Sequence, residues 1–206
     1  MNTLIRSATA HDLLKMHIRP LPLNPRLQAF FGQIPANSPW SGLLWGNAGS
    51  AKSTLAFELA MELGRFGNVL YNTSEEHFAV GTMQARLRFL PSLSPRVRFV
   101  ENRSLEELTD AVVIEQPRYV FVDSVSEMDA EQEAVLALPT MFPETSFIFI
   151  AQSTGDARKP LGKNTLRHNV DFVVRCEQRG VSRVAVNEKN RLAPTAHEMT
   201  IFTLAA

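Results

Sequence analysis

Gly46, Gly49, Lys52 and Ser53 have the types and spacing of a turn that could hold a phosphate. The segment Gly46-Asn-Ala-Gly-Ser-Ala-Lys-Ser53 follows the pattern G-x-x-x-x-G-K-[ST], with Ala51 where the second glycine of the pattern stands. Glycines at 46 and 49 open φ values that side chains resist. Successive backbone N–H groups can then converge on an anion, and a following helix adds its positive N-terminal end. Lys52 supplies a point charge for β- and γ-phosphates, and the Ser53 hydroxyl suits Mg²⁺. Alanine at 51 is the smallest change possible, and right-handed helical or extended geometry remains open to it. The expected nucleotide-binding set is Gly46, Asn47, Ala48, Gly49, Ser50, Ala51, Lys52, Ser53 and Thr54. An apolar run, Trp40–Trp45, precedes the turn and an amphipathic stretch, Thr54–Leu63, follows it, so the local reading is strand, tight loop, helix.

Other residues could complete such a site. Tyr119-Val-Phe-Val-Asp123-Ser124 is an apolar run ending in an acid. Next to a phosphate loop, Asp123 is placed to hold Mg²⁺ through water. Glu75 and Glu76 follow a strand-like run. Either could orient and deprotonate an attacking water; equally, the pair could cap the helix that follows, where carboxylates suit the dipole. The Gln152 amide, after the Ile148–Ile150 run, could touch a γ-phosphate and report it to the next loop. That loop, 153–163, carries Arg158, Lys159 and Lys163 with two glycines and a proline. It fits contacts to nucleic-acid phosphates or an ordinary solvated surface.

The elements needed to position these groups are legible. Apolar runs and amphipathic stretches alternate from residue 40 onward. Strands are expected at 43–45, 68–72, 96–100, 119–122 and 146–150. Helices are expected at 52–63, 78–89 (stopped by Pro91), 105–115 and 131–138 (bounded by Pro139). Continuous apolar strands suit burial on both faces, and alternation with helices implies a mainly parallel sheet. After Asp171, runs at 172–176, 183–186 and 200–204 with a turn at Arg179-Gly180 read as an antiparallel extension. Residues 1–38 form a lead-in with short helices near 8–16 and after Asn24-Pro25, ended by Gly32. The expected organisation is therefore a lead-in, 1–38, that could serve oligomerisation, and an α/β core, 39–206. In such a sheet, ligands bind beyond the carboxyl ends of the strands. Asn47, Thr73–Glu76, Asp123-Ser124 and Gln152-Ser153 all follow strand ends.

Composition excludes some classes. The 206 residues carry 21 basic and 21 acidic side chains, which argues against a chain that coats nucleic acid by bulk charge, though not against a local basic site. No apolar run reaches the roughly 18 residues that span a bilayer, and the N-terminus has no signal-peptide core. A cytoplasmic protein is the expectation. One cysteine, Cys176, rules out an internal disulfide and argues against a cysteine-based zinc site. The five histidines have no ligand spacing.

The ordered set of motifs resembles the RecA-type ATPases, in the RadA/KaiC branch. Six segments carry the likeness: the helix Leu55–Leu63 after the phosphate loop, Val69–Glu76, Gln84–Leu90, Pro117–Val125, Leu166–Asp171 and Lys189-Asn190-Arg191. The resemblance spans roughly 40–204 and implies a three-layer RecA-like core binding ATP and Mg²⁺. It favours Glu75 over Glu76 as the catalytic glutamate and makes loop 153–163 the DNA loop. It implies that Lys189 and Arg191 reach the γ-phosphate of a neighbouring subunit, which requires a hexameric ring or a filament. A minimal core of this kind is similar to small RadA-like recombinases and annealing proteins of phages. The expected activity is Mg²⁺-dependent, DNA-stimulated ATP hydrolysis on single-stranded DNA in recombination, annealing or repair. The alternatives are a KaiC-like regulatory ATPase with a protein partner and a hexameric translocating motor.

Overall fold

A computed structural model of the chain describes residues 8–74, 76–102, 104–128, 131–153, 165–192 and 196–204. One eight-stranded sheet has the order β3-β2-β4-β5-β1-β6-β7-β8. Five strands run parallel to one another: β1 (Ser41–Gly46), β2 (Val69–Thr73), β3 (Val97–Val100), β4 (Tyr119–Asp123) and β5 (Ser146–Gln152). β6 (Phe172–Arg179) runs parallel to β1, and then β7 (Ser182–Asn190) and β8 (Glu198–Thr203) add on antiparallel. This is the expected mainly parallel sheet with an antiparallel extension.

Burial on both faces explains the apolar runs. Alternate residues of one strand enter opposite cores: Val69 and Tyr71 of β2 pack on one side, Leu70 on the other. The first core is covered by α2 (Pro25–Phe31), α3 (Lys52–Leu63) and α4 (Thr82–Arg88). The second is covered by α5 (Leu105–Glu115), α6 (Gln132–Met141) and the short α7 (Thr165–Asn169). The architecture is thus three-layered. β3, at the sheet edge, is only partly buried.

The lead-in divides in two. Asn24 caps α2 by accepting from the Leu27 N–H, Pro25 follows at the first helical position, and Gly32 ends it, as its residues imply. Leu21, Leu27, Phe30, Phe31 and Ile34 are buried in the first core. By contrast α1 (Ala10–Lys15), closed by a Thr9–Asp12 capping box, buries none of its residues.

Two helices differ from expectation. The 78–89 segment is a 3-10 turn over Phe78–Val80, a break at Gly81 (φ 79°), and then α4. Gly81 is in the left-handed region, where a helix cannot continue. In α6, Pro139 lies inside the helix rather than beyond it. Proline forfeits one backbone bond, but the Phe142 N–H still donates to Leu138 O (2.9 Å) and closes the last turn.

Candidate nucleotide-binding site

The carboxyl ends of β1, β2, β4 and β5 lie along one edge, with Gly46 paired to Gln152 and Thr73 to Asp123. Four separate sequence motifs therefore reach one place, as the strand-end rule demands.

The loop after β1 is fixed by close backbone approach. A Cβ on Gly46 would lie 2.1 Å from Cys176 O and 2.8 Å from Ser50 Oγ, and φ there is +154°. Only glycine fits. Lys52 is buried, and its Nζ donates to Gly46 O and Asn47 O, each at 2.9 Å. The ammonium is thereby held within the turn. The Ser50 hydroxyl is buried with no hydrogen-bond partner.

Ala51 corrects one expectation. It adopts φ 70°, ψ 27°, the left-handed conformation, and not right-handed or extended geometry. It is the N-cap of α3, and a glycine would take that conformation freely; an L-residue there carries about 1–2 kcal/mol of steric strain. The loop path is thus kept although the residue type resists it.

Ala48, Gly49, Ala51, Lys52, Ser53 and Thr54 line a cavity of about 260 Å³, joined by Glu76, Arg86, Gln152, Arg183, Phe202 and Leu204. A glycine cradle, a buried lysine and an unpartnered serine hydroxyl together suit a polyphosphate. Ser53 at the start of α3 and Asp123 at the end of β4 are the residues whose oxygens could be offered to a Mg²⁺ ion. Among the described residues, no group of three or more His, Cys, Asp or Glu could hold a metal by itself.

Asp123 is largely buried and accepts a 2.6 Å hydrogen bond from the Tyr71 hydroxyl on the neighbouring strand. Burial first, and then the Asp123 charge, push the Tyr71 phenol well above its usual value. Tyr71 therefore stays protonated and keeps donating. Ser74 and Ser124 lock the two loops together: Ser74 Oγ donates to Ser124 O (2.9 Å) and accepts from the Ser124 N–H (3.1 Å).

Glu76 is bound by Arg86 through both carboxylate oxygens, one of them at 2.6 Å, and accepts from Thr82 Oγ1 at 3.0 Å. Arg86 also lies over the Phe57 ring, 5.9 Å from its centroid. A carboxylate so engaged is a poor base. Glu75 falls outside the described residues, as do Arg158, Lys159 and Lys163. Gln152 lines the cavity, and its backbone N–H faces Ser126 Oγ at 3.3 Å.

Arg183 was not singled out by the sequence. Its Nε donates to Gly49 O at 2.8 Å from β7, placing a cation on the phosphate loop of its own chain. Phe202 and Leu204, at the end of the chain, give the cavity an apolar rim. No local motif marks these residues; the antiparallel extension folds them back over the loop.

Lys189 and Arg191 do not join this cavity. Lys189 pairs with Val173, near the start of β6, whereas the phosphate loop aligns with Cys176. They are at the opposite, amino-terminal edge. Lys189 Nζ donates to Arg167 O (3.1 Å), His168 O (2.8 Å) and Val170 O, capping α7. Burial, and then Arg191, depress its pKa. Arg191 lies 3.9 Å from Asp171.

No protein-family model matches the chain. Among solved structures, it superposes on flagellar accessory protein FlaH from Methanocaldococcus jannaschii with a TM-score of 0.66 (14% identity, 89% of this chain and 94% of that one). A KaiC-like protein, PH0186 from Pyrococcus horikoshii OT3, gives 0.65 at 14% identity with the same coverage, and the RadB recombinase gives 0.59 at 21% identity (85% and 92%). The fold is RecA-like. In sequence, the RecA-like chain is 25% identical over 178 residues to DNA repair protein RadA of Salmonella typhimurium and, equally, of Escherichia coli. That match covers 79% of this chain and 38% of each RadA, so the chain spans well under half the length of these curated relatives. No helix among the described residues is long and apolar enough to cross a membrane.

Proposed function

We propose that the protein binds ATP with Mg²⁺ at the Gly46–Thr54 loop and hydrolyses it, as a homo-oligomer that grips single-stranded DNA. The observation behind this is the convergence of Lys52, Ser53, Asp123 and Gln152 on one sheet edge beside a glycine-cradled loop. Backbone N–H groups and Lys52 hold the phosphates. Ser53 and Asp123 would hold Mg²⁺, which when bound would supply neutralisation of charge on phosphoryl oxygens. Arg183 braces the loop through Gly49. Because Glu76 is tied to Arg86, Glu75 is assigned the orientation and deprotonation of water. Lys189 and Arg191, on the edge away from their own loop, are assigned to the phosphates of an adjoining subunit, where cations in trans stabilise the transition state.

The DNA assignment draws on the RadA and RadB likenesses and on the cations at 158, 159 and 163. A second reading, a regulatory ATPase acting on a protein partner, is favoured by the zero net charge. ATP turnover, measured with and without single-stranded DNA and alongside particle mass, separates them. Turnover that rises with DNA and vanishes in Lys52→Ala is expected. Failure of the parent protein to bind single-stranded DNA with Mg²⁺ and ATP present defeats the DNA assignment; turnover that survives Lys52→Ala defeats the site.

A further inference from the structure

Tyr71 lies in the middle of β2, yet its hydroxyl reaches the carboxyl edge of the sheet. In the β2–β4 register Tyr71 faces Phe121 and Thr73 faces Asp123, so Tyr71 and Asp123 are diagonal neighbours. Aromatic side chains are long enough to meet a partner across that diagonal. The residue is completely buried, and three other rings enclose it. Phe57 meets it edge-on with centroids 4.8 Å apart, Phe99 is tilted at 5.2 Å, and Phe121 stacks at 5.3 Å. Packing of this density holds the hydroxyl at one point, 2.6 Å from Asp123 Oδ2. That length is typical of a hydroxyl donating to a carboxylate. One more phenylalanine would fill the same space without burying a polar group, which costs free energy unless it is hydrogen-bonded. The hydroxyl is the part of Tyr71 that packing does not require.

Nearer hydroxyls are committed to the backbone. Thr73 Oγ1, opposite Asp123 in the register, donates to Glu76 O and accepts from the Glu76 N–H, each at 3.1 Å. Ser74 Oγ is engaged with the backbone of Ser124. Tyr71 therefore reaches Asp123 from within the core. The last torsion of an aspartate is broad, so its carboxylate turns readily. A donor fixed on one oxygen sets the plane of the group. A carboxylate has about four acceptor positions, and a phenol takes one of them.

We propose that Tyr71 is a positioning residue for Mg²⁺: by fixing the Asp123 carboxylate, it sets how strongly Mg²⁺ tightens nucleotide binding. The proposal rests on the nucleotide reading of the Gly46–Thr54 loop. It adds a residue that acts through Asp123 and from inside the core. Hydrogen-bond partners that orient metal-binding groups are typically worth about 10–100-fold in metal affinity. A hydrogen bond that only tied β2 to β4 would lower stability and leave the Mg²⁺ dependence of binding as it was.

The test is calorimetric binding of a non-hydrolysable ATP analogue, adenylyl imidodiphosphate, to the full chain, in EDTA and over a series of Mg²⁺ concentrations. Tyr71→Phe is expected to match the parent in EDTA, which also shows that it is folded, and to need about 10–100-fold more Mg²⁺ for the same tightening. In an Asp123→Asn background, adding Tyr71→Phe is expected to change nothing more. An unchanged Mg²⁺ requirement in Tyr71→Phe, or a further loss in the double variant, overturns the proposal and leaves the nucleotide site standing. A parent that does not bind the analogue, or binds it equally with and without Mg²⁺, overturns the nucleotide and Mg²⁺ reading and this proposal with it. The parent also supplies a measurement that does not depend on how the variant folds. The chain has two tyrosines, and Tyr119 opens β4 at the other edge of the sheet. With ¹³C at the phenolic carbon, the two resonances are assigned by Tyr119→Phe. Mg²⁺ added to the analogue complex is expected to shift the Tyr71 resonance and not that of Tyr119. A Tyr71 resonance that stays in place overturns the proposal.

Discussion

At the scale of single residues, the phosphate loop contains one position that only glycine can occupy and one that glycine would occupy better. Gly46→Ala drives a Cβ into Cys176 O on the neighbouring strand, backbone against backbone, so the loop must move. A loss of about 3 kcal/mol in unfolding free energy, together with loss of ATP binding, is expected. Ala51→Gly works in the other direction. It releases the left-handed strain, offset in part by the entropy of a freer unfolded chain, for a net gain of about 0.5–1 kcal/mol in urea unfolding. A variant less stable than the parent would show that Ala51 is not strained. The motif spacing made the loop, Lys52 and Ser53 legible. It could not reveal the φ of residue 51, because that angle follows from how α3 is seated on the sheet.

At the scale of elements, the site is held by contacts between neighbours in space. β2 and β4 are joined where the Tyr71 hydroxyl meets Asp123, and Tyr71 is clamped among Phe57, Phe99 and Phe121. Tyr71→Phe keeps the ring and removes the donor. It is expected to lose about 1.5–3 kcal/mol, the value of a hydrogen bond to a charged group. An unchanged denaturation midpoint would mean that this bond contributes nothing net. On β7, Arg183→Ala removes the brace on Gly49 and should weaken ATP binding while leaving the sheet intact. Unaltered nucleotide affinity with native circular dichroism would remove Arg183 from the site. Asp123 could be read from its apolar strand, but Tyr71 and Arg183 could not. Each lies in a stretch whose local pattern signals only a strand, and its partner is 52 and 134 residues away.

At the scale of the whole molecule, two buried acids make stability depend on alkaline pH. Burial, the main cause, raises the Cys176 thiol from 9.0 to about 12, and raises Tyr71 well above 10.0. The folded state holds both protons more tightly than the unfolded chain. Their stabilisation is therefore complete below about pH 9 and is lost as pH rises through the folded values, by up to ~1.4 kcal/mol per pH unit for each group. Urea midpoints should fall between pH 9 and 11, and in Cys176→Ala the decline should begin nearer pH 10. An identical profile in that variant would rule out the thiol. Particle mass belongs to this scale too. Lys189→Ala should slow turnover and recover in part when mixed with Glu75→Ala subunits, because an intact site would then form between the two. No recovery at any ratio would remove Lys189 from a neighbour's active site.

By itself, the sequence determined the fold class, because apolar runs buried on two faces and alternating with amphipathic helices leave few architectures besides a three-layer parallel sheet. It also marked the candidate phosphate loop, because the residues of that motif are eight in a row. Only the tertiary structure decided which distant groups share the site and which do not. It brought Arg183, Phe202 and Leu204 to the loop, tied Glu76 to Arg86, and set Lys189 and Arg191 on the opposite edge. It also separated a segment of the lead-in that builds the core from a short helix that buries none of its own residues. Such pairings depend on strand order and register, which arise from the summed packing of the whole chain and leave no local mark.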